Sequence, residues 1–353
     1  MAHVLFVVPR FHTNLFFATR ALIGAGHRVT VLAASQSAAM EDHSVVVPQV
    51  MGESPARDAV CRVLEADRPD LVLLRTSGAL SRQVAQVSRR LRLRVVGYDQ
   101  RPMTEPRSLR RRLSLWLQGR PWQRVTPVPG VDAAAPQDQA ASYLPWPTAA
   151  LPLPTGAERD QSDMPVRVLC VGKLAQVRKN QPLLIAALAA LGGGDRVRLT
   201  LVGSTSRAIS GADADHHAVL QQAARENDWI DIRGDVPFAE MPALYAAHHI
   251  CVLPSVGEPL GSAPVEAMAY GTIPVISLDT GSVGYVTDGV DGLRVDVTVP
   301  GALETALAPL LASPELRVRL SDAARRTAET ELSPARFVQR IDALLATSAA
   351  PGA

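Results

Sequence analysis

Two glutamates eight positions apart, Glu258 and Glu266, enclose the run Pro259-Leu260-Gly261-Ser262-Ala263-Pro264-Val265. An apolar stretch, Ile250 to Leu253, leads into them. Small residues lead away to Gly271 and a second apolar stretch, Pro274-Val275-Ile276-Ser277. A strand that feeds a glycine turn, and then a helix with proline near its first position, offers free backbone N–H groups and a positive dipole end to an anion. Glu258 falls in the loop and Glu266 in the first helical turn, so both can face one crevice without touching. That layout suits a nucleotide sugar: phosphates on the helix end, one carboxylate for ribose hydroxyls, the other for sugar hydroxyls. Without supporting context the same pair reads as solvated charges at a helix start.

Such a turn needs a sheet to carry it, and strand-like and helix-like stretches alternate along the chain. Val4 to Val8 is followed by a helix over about 14–25, a Gly26 stop and a strand from Arg28 to Leu32. Leu71 to Leu74 and Arg94 to Gly97 are further short apolar runs. This alternation predicts an α/β protein with a doubly wound parallel sheet. A dinucleotide-binding dehydrogenase needs Gly-x-Gly-x-x-Gly after the first strand, where this chain reads Pro9-Arg10-Phe11-His12-Thr13-Asn14. Prolines crowd the segment from Pro127 to Pro165 and mark it as a connection. The 353 residues suffice for two ordinary domains. The expected division is an N-terminal domain over 1–162, its proline-rich connection at about 127–162, a second domain over 163–332, and a C-terminal helix within 333–353.

The second half supplies cations. Val166 to Val171 reads as a strand, followed by Gly172-Lys173-Leu174 and then Arg178-Lys179-Asn180 at the head of a helix, Gln181 to Leu191. A departing nucleoside diphosphate carries charge that must be neutralised; Lys179 is the first candidate to do it, and Lys173 and Arg178 read either as its partners or as exposed loop charges. Lysine acts there as a point charge, without arginine's bidentate fork.

Taken together, Glu258, Gly261 and Glu266, with the following Ala267-Met268-Ala269-Tyr270-Gly271-Thr272-Ile273-Pro274-Val275, resemble the Glu-x7-Glu motif of the glycosyltransferase family 4 group. Gly172-Lys173-Leu174 and Lys179-Asn180 are similar to the family's Gly-Arg-Leu and Lys-Gly pattern, with lysine for arginine and asparagine for glycine. The resemblance implies the GT-B fold: two Rossmann-like doubly wound parallel-sheet domains facing a cleft, with the last helix crossing back to the first domain. It implies transfer of a sugar from a nucleotide-diphosphate donor to an acceptor hydroxyl, with retention of configuration and without a metal or other cofactor. It makes Glu258 and Lys179 the catalytic residues. Lys173, Arg178, Gly203, Val236, Leu260, Gly261, Ser262 and Glu266 become donor-binding, Val236 through its backbone. On the acceptor side it points to Arg10 and His12, where the family often has a Gly-Gly loop, and to Asp99, where it often has histidine. A nucleotide-sugar epimerase or phosphorylase of the same architecture, or a non-catalytic nucleotide-sugar-binding subunit, would share these features, because fold does not fix function.

Composition narrows the partners. A net charge of +2 is no nucleic-acid signature, and no nucleic-acid partner is expected; the expected partners are the donor and a glycan, lipid-linked or small-molecule acceptor. The histidine doublets His216-His217 and His248-His249 lack ligand spacing, so no metal site is expected. Cys61, Cys170 and Cys251 are far apart, two of them in apolar runs, as buried thiols of a reducing compartment would be. No run reaches the length of a membrane span, and the start lacks signal-peptide features; the expectation is a cytoplasmic protein. From Arg101 to Arg124 there are seven arginines and one acid, Glu105. Leu109, Leu113, Trp116 and Leu117 fall at helical spacing there, which predicts a basic amphipathic helix. Such a helix packs on a sheet, rests on the inner face of an anionic membrane, or holds an anionic acceptor.

Overall fold

A computed structural model of the chain describes residues 1–36, 45–75, 78–117, 121, 123–130, 134–153, 160–206 and 211–347, Thr13 and Asn14 by backbone alone. Part of the proline-rich connection, including Pro154, and the tail from Ser348 lie outside the described residues. The chain divides into two units, Met1–Pro147 with Leu332–Ala353, and Thr148–Glu331. The division falls upstream of Ser162, within the proline-rich segment.

In the first unit the elements run β1 (His3–Val8), α1 (Thr13–Gly24), β2 (Arg28–Ala33), β3 (Gln49–Val50), α2 (Arg57–Asp67), β4 (Leu71–Arg75), α3 (Ala79–Arg90), β5 (Val95–Tyr98), α4 (Leu109–Leu117), β6 (Arg124–Thr126) and β7 (Ala141–Tyr143). The sheet order is β3-β2-β1-β4-β5-β6-β7, with every pairing parallel. A central parallel strand is covered on both faces and reads as a continuous apolar run; Val4, Leu5, Phe6 and Val7 are all buried.

The second unit runs β8 (Val166–Val171), α5 (Gln181–Ala190), α6 (Gly193–Arg196), β9 (Val197–Gly203), α7 (Ala214–Glu226), β10 (Ile230–Gly234), α8 (Met241–Ala247), β11 (Ile250–Leu253), α9 (Ala263–Met268), β12 (Ile273–Ser277), β13 (Leu293–Val295), α10 (Ala302–Ala312) and α11 (Pro314–Thr330). Its parallel sheet has the order β10-β9-β8-β11-β12-β13. Winding starts at β8, goes outward to β10, then returns to β11 on the other side. The strand order therefore reverses between β8 and β11, and ligands of such sheets bind outside the carboxyl ends of the strands at that point.

The final helix, α12 (Pro334–Ala346), belongs to the first unit. Phe337 stacks on Trp146 with ring centroids 6.3 Å apart, and Trp146 Nε1 donates to the Tyr98 hydroxyl at 3.0 Å. Burial pushes the Tyr98 pKa up to about 12. The prolines that interrupt the C-terminal periodicity open helices: Pro314 and Pro334 follow Ser313 and Ser333, whose hydroxyls accept from Leu316 N and Arg336 N. Proline's missing N–H costs nothing at a first turn.

The basic segment differs from its sequence reading. Among its described residues only Leu109–Leu117 is helical, and Arg107 and Arg124 are buried. Asp99 accepts from Arg107 Nη2 at 2.5 Å and from Arg124 Nη1 at 2.8 Å. Asp138 accepts from Arg124 Nε and Arg112 Nη2, both at 3.1 Å. Arg124 also donates to the carbonyls of Arg101 and Pro102, so it fastens the loop before α4 to β6. Burial alone would raise the Asp138 pKa, but the Ala140 N–H and the two guanidinium groups outweigh it and hold the carboxyl below its ordinary value.

Candidate functional site

The site lies in the second unit, at the carboxyl ends of β8 and β11. Gly172 follows the last residue of β8, and a Cβ on Gly203 at the end of β9 would lie 2.0 Å from the Gly172 carbonyl oxygen. Glycine is therefore required where these two strands close together. A Cβ on Gly172 would meet Lys179 Cδ at 3.0 Å, so the lysine stem lies across a surface cleared for it.

Lys179 ends a single 3-10 turn, Val177–Lys179. Asn180 follows with φ 56°, a left-handed conformation that asparagine tolerates better than most residues. This explains how it stands where the family pattern has glycine. The turn is stitched to the loop after β11 from both ends: Asn180 Nδ2 donates to Pro254 O at 3.2 Å, and Val256 N donates to Arg178 O at 2.8 Å. The loop after β12 holds Glu258 in turn. Glu258 N donates to Asp279 O at 3.1 Å, and Gly281 N donates to Glu258 O at 2.9 Å.

The result is a three-residue charge cluster. Arg178 Nη1 donates to Glu258 Oε2, and Lys179 Nζ donates to the same oxygen at 2.5 Å. The Glu258 and Lys179 side chains are 9% and 10% exposed, while Arg178 is 37% exposed. Two cations on one nearly buried carboxylate leave the group net positive, as a diphosphate requires.

Gly261 adopts φ +71°, and a Cβ there would fall 2.4 Å from Leu253 Cδ2 and 3.0 Å from Glu258 Cγ. Its carbonyl accepts from Ser282 Oγ at 2.8 Å, and that of buried Leu260 accepts from Ser282 N at 2.8 Å. Ser262 Oγ donates to Glu266 Oε1 at 2.7 Å, and the Tyr245 hydroxyl donates to Glu266 Oε2 at 3.0 Å. Glu266 keeps part of its surface open, yet loss of hydration raises its pKa, and the two hydroxyl donors only partly offset this. Tyr245, buried and stacked on Tyr270 with centroids 5.8 Å apart, has its pKa raised well above the ordinary value by the same burial and by Glu266.

The structure thus brings Glu258, Arg178 and Lys179 into direct contact, with Gly261 against Glu258 and Ser262 against Glu266. Lys173 stands half-buried at the end of β8, its carbonyl accepting from Gln181 Nε2 at 3.3 Å. Val236 is half-buried against the cluster that contains Tyr245. The first-unit candidates form a separate set: Arg10 is half-buried, the His12 carbonyl accepts from Leu15 N, and Asp99 is engaged by two arginines. Sequence reasoning missed Tyr245 and Ser282 as partners of the motif. Neither lies within a helical turn of the residue it contacts, so no local spacing announces them.

His248 and His249 are buried and bonded within the fold. His249 Nδ1 accepts from Arg167 N, which leaves Nε2 to donate to Asp160 O; His248 bonds Leu244 O and Thr200 Oγ1. Among the described residues no group of three or more metal-binding side chains occurs. Cys170 and Cys251 are buried, with the Cys170 pKa pushed up to about 12.

Known proteins are similar to this chain in sequence and fold. Residues 157–327, which fall within the second unit, match the family described as Glycosyl transferases group 1. The chain is 34% identical over 168 residues to D-inositol 3-phosphate glycosyltransferase of Corynebacterium glutamicum (strain R), covering 46% of this chain and 39% of that protein. It is 30% identical over 170 residues to lipopolysaccharide core biosynthesis glycosyltransferase LpsE of Rhizobium meliloti (strain 1021), covering 47% and 45%. The chain thus spans less than half the length of these curated relatives. The fold is that of GT-B glycosyltransferases. A glycosyltransferase from Rickettsia africae ESF-5 superposes with a TM-score of 0.75 at 12% identity, over 98% of each chain. Anabaena Alr3699/HepE in complex with UDP-glucose superposes with a TM-score of 0.70 at 19% identity, over 99% of this chain and 100% of that one.

Proposed function

We propose that the chain is a retaining glycosyltransferase that moves a sugar from a nucleoside-diphosphate donor to a hydroxyl of a glycan, lipid-linked or small-molecule acceptor, without a metal ion. The observation that carries this reading is the contact of Arg178 and Lys179 with Glu258 at the point where the strand order reverses. Diphosphate oxygens and sugar hydroxyls are adjacent in a donor, and here their cationic and anionic partners are adjacent too. Lys179, Arg178 and Lys173 neutralise the diphosphate, Glu258 accepts hydrogen bonds from sugar hydroxyls, and Glu266 accepts from ribose. The Gly261 turn lets backbone N–H groups approach, and Gly203 and Val236 contact the donor through backbone.

In the reaction the bond from the anomeric carbon to phosphate oxygen breaks, and the acceptor oxygen bonds to that carbon on the same face. The acceptor proton passes to the departing phosphate. The protein supplies position and charge. On the acceptor side the reading places Arg10, His12 and Asp99, with the basic segment 101–124 as the place of a peripheral membrane contact at the inner face.

The test is incubation of purified protein with nucleotide-sugar donors and acceptors, with the anomeric configuration of the product read by NMR. Transfer with inversion, or the same rate for Glu258→Ala, contradicts the assignment. One observation favours a second reading, a non-catalytic sugar-nucleotide-binding subunit: the Asp99 carboxylate is committed to Arg107 and Arg124. Donor binding with no transfer to any acceptor would select it.

A further inference from the structure

Helix α4 exposes an apolar face. Leu109, Leu113, Trp116 and Leu117 are 80%, 58%, 58% and 69% exposed, and among the described residues no other helix has more than one large apolar side chain so exposed. At about 100° per residue these four fall within a ~100° arc. Leu115, on the far side, is buried. Arg112 borders one margin of the arc and is anchored inward on Asp138. Exposed Arg110 borders the other, exposed Arg111 lies beyond it, and the helix contains no acidic residue.

We infer that α4 seats the protein on an anionic lipid bilayer, the Leu109/Leu113/Trp116/Leu117 face entering the headgroup boundary and the arginines pairing with lipid phosphates. An arc of leucines and a tryptophan rimmed by arginine is the chemistry of an interfacial helix. Nine residues span only about 14 Å, less than half the ~30 Å hydrocarbon core, so the helix lies in the interface. Pairing with a second copy would set like-charged margins against each other, which the charge pattern disfavours. This deepens the membrane contact of the proposed function, yet it is read without turnover, so either can fail alone.

The test is co-sedimentation of the full chain with vesicles of phosphatidylcholine, alone or mixed with phosphatidylglycerol. Binding is expected to the mixed vesicles and to be weaker by roughly tenfold or more on phosphatidylcholine alone. Leu113→Glu/Trp116→Glu and Arg110→Ala/Arg111→Ala should each lose roughly tenfold or more on mixed vesicles. Both pairs are exposed, so melting temperature and any melting shift produced by nucleoside diphosphates should not change. Absence of binding to the mixed vesicles, or wild-type binding by the glutamate variant, overturns the inference. A dimer in sedimentation velocity that the glutamate variant dissolves, with no vesicle binding, overturns it in favour of self-association.

Discussion

Replacing Gly261 with alanine tests the geometry of the motif turn, and Gly289 provides a control in the same unit. Both glycines have left-handed backbones, φ +71° and +70°, but a Cβ on Gly289 meets nothing within 4 Å whereas one on Gly261 falls 2.4 Å from Leu253 Cδ2 and 3.1 Å from Thr280 Cγ2. Gly289→Ala carries only backbone strain, about 1 kcal/mol. Gly261→Ala adds overpacking against buried Leu253, about 1–3 kcal/mol, for a total of about 2–4 kcal/mol. For a unit of this size each kcal/mol moves the midpoint by about 2–4 °C, so the expected drops are about 3 °C and about 6–12 °C. The clash also presses on Glu258 Cγ, so donor turnover should fall in Gly261→Ala and not in Gly289→Ala. Calorimetry with a turnover assay reads both. Equal melting drops, or wild-type turnover in Gly261→Ala, would refute the reasoning.

Glu258→Gln should lower turnover by roughly 100-fold or more while nucleoside diphosphate affinity holds or rises, because Lys179 and Arg178 no longer share a carboxylate; competition binding beside steady-state kinetics reads both. The folded-state pKa of Glu266 is raised by burial, so its contribution to stability is greatest below the ordinary carboxylate range and declines as pH rises through the raised value. Glu266→Gln should therefore gain in melting temperature relative to wild type as pH rises from about 4 to about 7, and a gap that shrinks over that range contradicts the sign. Asp99→Asn should destabilise the first unit by about 3 kcal/mol by leaving buried Arg107 and Arg124 short of a partner; chemical denaturation reads this, and a change under about 1 kcal/mol would show the pairs to be dispensable. Asn180→Ala should be about 1 kcal/mol less stable than Asn180→Gly in chemical denaturation, because both lose the Nδ2 bond to Pro254 O and only alanine is strained at φ 56°.

The sheets were legible in the sequence because buried parallel strands leave continuous apolar runs: β1, β8, β11 and β12 fall where Val4, Val166, Ile250 and Pro274 announce them. The motif was legible because Glu258, Gly261 and Glu266 lie within one strand-turn-helix unit. What holds it was not, since Tyr245 arrives from helix α8 and Asp279 and Ser282 from the loop after β12, through contacts that only the sheet order creates. The basic segment shows a different limit. Counting charges from Arg101 to Arg124 omits Asp99 and Asp138, which lie just outside that window and neutralise the two buried arginines. Helical spacing found Leu109, Leu113, Trp116 and Leu117 correctly but carries no information on whether that face meets protein or solvent.

The central claim is that the second unit grips a nucleoside diphosphate through Lys179 and its neighbours. The most direct measurement is the melting temperature of wild type and Lys179→Ala across UDP, GDP, TDP and ADP. A ligand at 100 times its Kd contributes about 2.7 kcal/mol, so at least one diphosphate should raise the wild-type midpoint by about 5–10 °C and leave Lys179→Ala nearly unmoved. No shift with any of the four, or an equal shift in the variant, would contradict the account.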